Sequence, residues 1–126
     1  VKARLQDKMR LEDMNPQSVN DAIIMLYDNL TEGEVRSITT SKPEEHHHFI
    51  GRALRNCWMH SRPDSPLVQD CLKTYGVSMP DDVSALILEG LWAAVHDRGI
   101  DLHAIADGFR AHWIESGCDP ETGQPR

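Results

Sequence analysis

No apolar run in this chain approaches the roughly 18 to 20 residues that a membrane-crossing helix requires. Aromatics are sparse, with two Phe, two Tyr and three Trp. His-Glu-x-x-His, Cys-x-x-Cys and Gly-x-Ser-x-Gly are all missing, so the usual helical zinc pair, the paired-thiol metal or redox site and the nucleophile elbow have no support. The three cysteines, Cys57, Cys71 and Cys118, cannot all pair within one chain. No signal-peptide pattern precedes them, so reduced thiols and a cytoplasmic location are expected. The chain opens on Val1 rather than Met, which leaves room for an upstream targeting segment. Positive charge is also scarce. Thirteen Lys and Arg face twenty Asp and Glu, a formal net charge of −7, which repels a phosphate backbone and makes general nucleic-acid binding an unexpected function.

What basic character exists is concentrated at the start, in Lys2, Arg4, Lys8 and Arg10. Residues 1–14 read as a basic arm or helix whose apolar residues, Leu5 and Met9, form a thin stripe. Such an arm is either a solvated face or a partner contact, and binding of nucleic acid through it would weaken steeply with salt.

From residue 15 to 117 the periodicity is helical almost throughout, and no strand pattern appears. At 126 residues the chain is one domain by length, able to bury about two-thirds of its unfolded surface without disulfides or metal. Ser18 caps a helix with Val19, Ala22, Ile23, Leu26, Tyr27 and Leu30 on its inner face. Thr31 and Glu34 have capping-box spacing. Ser41, with Pro43 and Glu44 in the next turn, starts a helix over 42–59 that reads as the centre of the fold. In it Ile50, Gly51, Leu54, Cys57 and Trp58 share one sector, while Phe49 and Asn56 lie opposite, so cover from two directions is expected. Gly51 in mid-helix costs about 1 kcal/mol relative to Ala, which predicts the close approach of another backbone.

Ser65-Pro66 opens a helix bearing Leu67, Val68, Cys71, Leu72 and Tyr75 and ending at Gly76. Pro80-Asp81-Asp82 opens another over 80–97, largely buried through Val83, Leu86, Ile87, Leu88, Leu91 and Ala94, and stopped by Gly99. Asp101 caps the last helix, whose inner face carries Leu102, Ile105, Ala106, Phe109 and Trp113. Residues 118–126, rich in Pro and Gly, read as a flexible tail. The fold class is all-α, a compact single-domain bundle of five or six helices.

The motif His47-x-x-x-Gly51-x-x-Leu54-Arg55-Asn56-x-Trp58, then Ser65-Pro66-Leu67 and Pro80-Asp81-Asp82-Val83-Ser84, resembles an uncharacterised domain family of bacteria and their phages. The likeness covers roughly residues 15 to 102. It implies a helical fold and that these residues belong together, and it brings no established activity. Against the family pattern, His48 and Phe49 replace an aromatic and a glycine, Ala53 and Cys57 replace Trp and Asn, and Val83 replaces Met. A pocket at those positions is thereby altered.

Four groups of residues could carry chemistry. Arg55 with Asp81 and Asp82 is either a structural network, with Asn56 serving nearby backbone, or the core of a ligand site, because a buried guanidinium demands a carboxylate in both cases. His46, His47 and His48, with His60, His96, His103 and His112, lack a ligand-pair pattern, so no metal site and no cofactor are expected. His47 is expected beside Trp58 or on the Arg55 network. An acid/base set of His47, Asp81, Asp82 and Ser84 has the right residue types, but the adjacent carboxylates point apart and Ser84 reads as a helix-start residue. Trp92 projects to the side of Glu89 and His96, either as an interface anchor or packed beneath the last helix.

The reading that follows is a protein-binding regulatory or interaction module. Its contact candidates are His47, Arg55, Asn56, Asp81, Asp82 and Trp92, and its sharper form is a small acidic inhibitor of a host or phage protein. The alternative is a small enzyme or anionic-ligand binder using a pocket of His47, Arg55, Asp81 and Asp82. The discriminator is whether Arg55 is open in a cleft or closed over by its partners.

Overall fold

The computed structural model describes residues 10–60, 62 and 64–125; the arm at residues 1–9 therefore lies outside the described residues. Among the described residues there are six α-helices: α1 (Val19–Asp28), α2 (Glu32–Thr39), α3 (Ile50–Arg55), α4 (Pro66–Tyr75), α5 (Pro80–Val95) and α6 (Leu102–Glu115). Among the described residues there is no strand, and the class is all-α.

The starts of three helices follow directly from local chemistry. Ser18 Oγ accepts the Asp21 N–H at 3.0 Å. Thr31 and Glu34 close a full capping box at 3.1 and 2.8 Å, and Asp101 accepts the Ala104 N–H at 3.1 Å. Each satisfies an amide that the first helical turn leaves without a partner.

The centre of the bundle is α5, not the segment 42–59. Val83, Leu86, Ile87, Leu88, Leu91, Trp92 and Ala93 are all buried, so this helix is apolar on nearly every side and can be enclosed. α1, α2, α3, α4 and α6 all pack on it. The close helix approach expected at Gly51 occurs instead at Gly90, where a Cβ would collide with Ile23 Cδ1 of α1. At Gly51 the neighbour is the guanidinium of Arg55, 2.8 Å from where a Cβ would stand.

The segment 42–59 is not one helix. Pro43–His46 forms a 3-10 turn, α3 begins only at Ile50, and Asn56–His60 continues it as a π-helical turn. Ser41 does not cap it; its hydroxyl donates to Ser37 O at 2.7 Å and so belongs to the end of α2. The wider π turn accommodates consecutive Trp58 and Met59, both buried. Phe49, expected under cover, is 87% exposed. Tyr27 is also exposed, and Trp113 is half-buried rather than core.

α5 ends at Val95, ahead of Gly99. The Asp97 N–H donates to Ala94 O and the Arg98 N–H to Ala93 O, a Schellman closure that puts Asp97 in the left-handed region at φ 53°. Residues 118–125 make several contacts. Cys118 and Pro125 bridge antiparallel, Pro120 is buried, and Ser78 Oγ donates to Glu121 O at 2.5 Å.

Candidate functional site

Two places combine unusual chemistry with accessibility. The first is polar and was legible from the motif. Arg55, in the last turn of α3, lies against the first turn of α5. Its Nε is 3.2 Å from Asp81 Oδ1, and its Nη1 donates to Ser84 Oγ at 3.0 Å and, weakly, to His47 O at 3.5 Å. Ser84 is fully buried, and its hydroxyl donates in turn to Asp81 O at 3.1 Å. The Arg55 side chain is 11% exposed and that of Asp81 73%, so the guanidinium is closed over while its carboxylate reaches solvent.

Asp82 is not part of the Arg55 pair. Adjacent residues on a helix diverge by about 100°, and Asp82 turns to α6, where its Oδ2 accepts the Trp113 indole N–H at 2.8 Å. Burial pushes its carboxyl above the ordinary range; the Trp113 hydrogen bond opposes this, Asp81 adds to it, and His112 and His47 oppose it. His47 joins the Arg55 cluster through its backbone carbonyl, while its ring stands edge-on to His48 at 5.7 Å. Asn56 is on the exposed side of the π turn.

Trp92 is not a surface anchor. It is 1% exposed, packed neither on the polar face nor under α6 but beneath the 41–46 segment, where its Nε1 donates to Ser41 O at 3.0 Å. The His46 ring lies 5.1 Å from it, and His46 Nε2 is 3.0 Å from Ser41 Oγ. The residue of the histidine triplet that is built into the fold is thus His46, which the motif does not mark. Among the described residues no three His, Cys, Asp or Glu side chains gather to hold one metal ion. Burial, helped by Asp70 and Asp82, pushes the Cys71 thiol up to about 12, so it is protonated and inert at neutral pH.

The second place was not anticipated. An apolar cleft of about 610 Å³ opens between α1, α2 and α3, with Leu26 and Leu30, Ile38, and Ile50 and Leu54 on its walls and Trp92 at its base. Leu11 and Met14 close one end, and Phe49 stands at the rim. Its polar groups, Arg10, Asn29, Glu34, Ser37 and His46, are few. This balance of apolar lining with a few polar groups is typical of a binding cleft. The only sequence signal for it was Phe49, an aromatic on the wrong side of its helix.

The fold and the Arg55 cluster together define a small helical domain packed around α5, with a polar clasp between α3 and the start of α5. The family described as Domain of unknown function (DUF6794) matches residues 15–94, more than half of the chain, and the protein belongs to that family. The match spans the clasp and most of the cleft walls and stops before α6. No curated protein matches the chain, and no solved structure matches it. No helix among the described residues is long and apolar enough to cross a membrane.

Proposed function

We propose that this domain is a protein-binding regulatory module and that its contact surface is the apolar cleft between α1, α2 and α3. The observation that carries the reading is the cleft itself: about 610 Å³, lined mainly by aliphatic side chains, with an 87% exposed Phe49 at its mouth. An open apolar groove along helices suits an amphipathic helix that inserts residues at i, i+3, i+4 and i+7. The acidic balance of the chain, −7 overall, favours an occupant with basic flanks.

The competing reading, an enzyme or anionic-ligand binder built on His47, Arg55, Asp81 and Asp82, has less support. Arg55 directs its donors to Asp81, Ser84 and the His47 carbonyl, and Asp82 faces Trp113, so the four do not converge on one open space. The finer form of the proposal is a cytoplasmic acidic inhibitor of a basic site on a host or phage protein. It rests on the charge, the odd number of cysteines and the family resemblance.

The test is a photo-reactive benzoyl-phenylalanine at position 49 in the native host, with the crosslinked segment identified by mass spectrometry. The expected product is one amphipathic, basic segment, lost when Leu30→Asp places a charge in the cleft of a variant that circular dichroism shows to be folded. Crosslinks that are absent, or indifferent to Leu30→Asp, overturn the reading.

A further inference from the structure

A second pocket, of about 530 Å³, lies where α1, the end of α4 and the start of α6 meet α5. Ile23, Ala93 and Ala94 give it an apolar wall, and Ile100, 40% exposed, stands at its rim. Tyr75 is part of the lining and is only 9% exposed. Its ring packs against that of His103 at 4.7 Å, yet its hydroxyl forms no hydrogen bond with any described residue. Among the described residues no buried side-chain oxygen is sealed off without a partner, so this hydroxyl stays reachable from the pocket. Burial, helped by Cys71 and Asp70, pushes its pKa up, which keeps it protonated and a donor at neutral pH. The remaining polar groups add more donors than acceptors. α6 begins here, and the N–H groups of Leu102 and His103 donate to no described residue; a helix start offers such amides to an external acceptor. The exposed Arg98 guanidinium forms no salt bridge among the described residues, although its charge is felt at Glu89. Against these donors the lining holds one carboxylate, Asp101, whose Oδ1 already accepts the Ala104 N–H.

We propose that this pocket binds a small organic carboxylate. The Tyr75 hydroxyl, the open N–H groups of α6 and the Arg98 guanidinium meet its oxygens, and its apolar body lies on Ile23, Ala93 and Ala94 beneath Ile100. Arg98 and Asp101 balance each other in formal charge, so selectivity comes from directed donors rather than from a net field. A hydrogen bond to a charged acceptor is stronger than one to a neutral acceptor, which favours the carboxylate over an uncharged analogue. The apolar wall favours a ligand with a hydrocarbon body over a bare ion. Asn20 and His103, each able to donate or accept, complete the polar lining. The site is separate from the cleft between α1, α2 and α3, and it stands or falls independently of partner binding there.

Amide NMR titration of the full chain tests it, with 2-naphthoate, its neutral amide 2-naphthamide, and inorganic phosphate as probes. Saturable shifts are expected with 2-naphthoate at the amides of Leu102, His103, Ala93 and Ala94, with weaker binding of both other probes. Tyr75→Phe keeps the ring against His103 and removes only the hydroxyl, while Arg98→Ala alters an exposed side chain, so both variants should stay folded. Each should weaken 2-naphthoate binding roughly tenfold or more, the loss of one hydrogen bond to a charged group. No saturable shift with 2-naphthoate overturns the proposal, as does 2-naphthamide binding equally well. Phosphate binding as tightly as 2-naphthoate would reduce the site to an unselective helix end and also overturns it. Affinity unchanged in both folded variants would place the ligand elsewhere.

Discussion

Trp113 donates its indole N–H to Asp82 Oδ2 at 2.8 Å, and this single bond ties the first turn of α5 to the last turn of α6. The carboxylate is half-buried, and the desolvation it suffers outweighs the hydrogen bond it accepts, so its pKa lies above the ordinary aspartate value. An acid whose folded pKa is raised binds protons more tightly in the folded state. Its contribution to stability is therefore full below the unfolded pKa and is lost as pH rises through the folded one.

The first prediction concerns that bond. Asp82→Asn keeps an acceptor for Trp113 and removes the charge, so at pH 7 the variant should melt at or above the wild-type temperature. The gap should close as pH falls through the raised folded pKa toward the ordinary aspartate range. Thermal melts of both proteins between pH 3 and 7 measure it. A wild type that is the more stable at pH 7, with the gap shrinking toward acid, would show that the charged hydrogen bond outweighs the desolvation.

The clasp around Arg55 should be asymmetric. Arg55→Ala leaves the buried Ser84 hydroxyl without its donor and opens a space between α3 and α5, a loss of about 1–3 kcal/mol. Asp81→Asn, at a solvent-exposed carboxylate, should cost less than about 1 kcal/mol. Urea unfolding of the two variants orders them. Equal losses would mean that the ion pair, rather than the hydrogen bond to Ser84, carries the clasp.

Gly90→Ala should destabilise by about 1–3 kcal/mol, since the added Cβ meets Ile23 across the contact of α1 with α5. Ile23→Val in the same chain should recover part of the loss by withdrawing the Cδ1 atom. The double-mutant cycle reads this coupling, and additive effects would place the cost elsewhere.

Asp97 holds φ 53° at the end of α5, a conformation that favours glycine. Asp97→Gly should raise stability by about 0.5–1 kcal/mol through relief of the left-handed strain. Calorimetry that shows a lower melting temperature would instead assign Asp97 an interaction worth more than its strain.

The local chemistry of the helix starts was legible in the sequence because each depends on residues within one turn. Ser18, Thr31 with Glu34, Asp101 and the Gly76 stop need no distant partner, and the same holds for the apolar stripe that makes α5 a buried helix. The pairing of Arg55 with Asp81 was also readable, since a guanidinium on a buried helix and an acidic helix start have few other ways to be satisfied. Tertiary structure decided the rest. Whether Asp82 turned to Arg55 or to Trp113 depended on where α6 lay across α5. Trp92 sat on the polar side of its helix by sequence, yet the fold laid the 41–46 segment over it and gave its N–H the Ser41 carbonyl. The break at His47–Phe49 and the change to a π turn at Asn56, where Trp58 and Met59 are both buried, are not encoded by periodicity alone. The apolar cleft belongs to no single helix: Leu26 and Ile50 each read as ordinary inner-face residues, and only the way α1, α2 and α3 meet leaves a space between them.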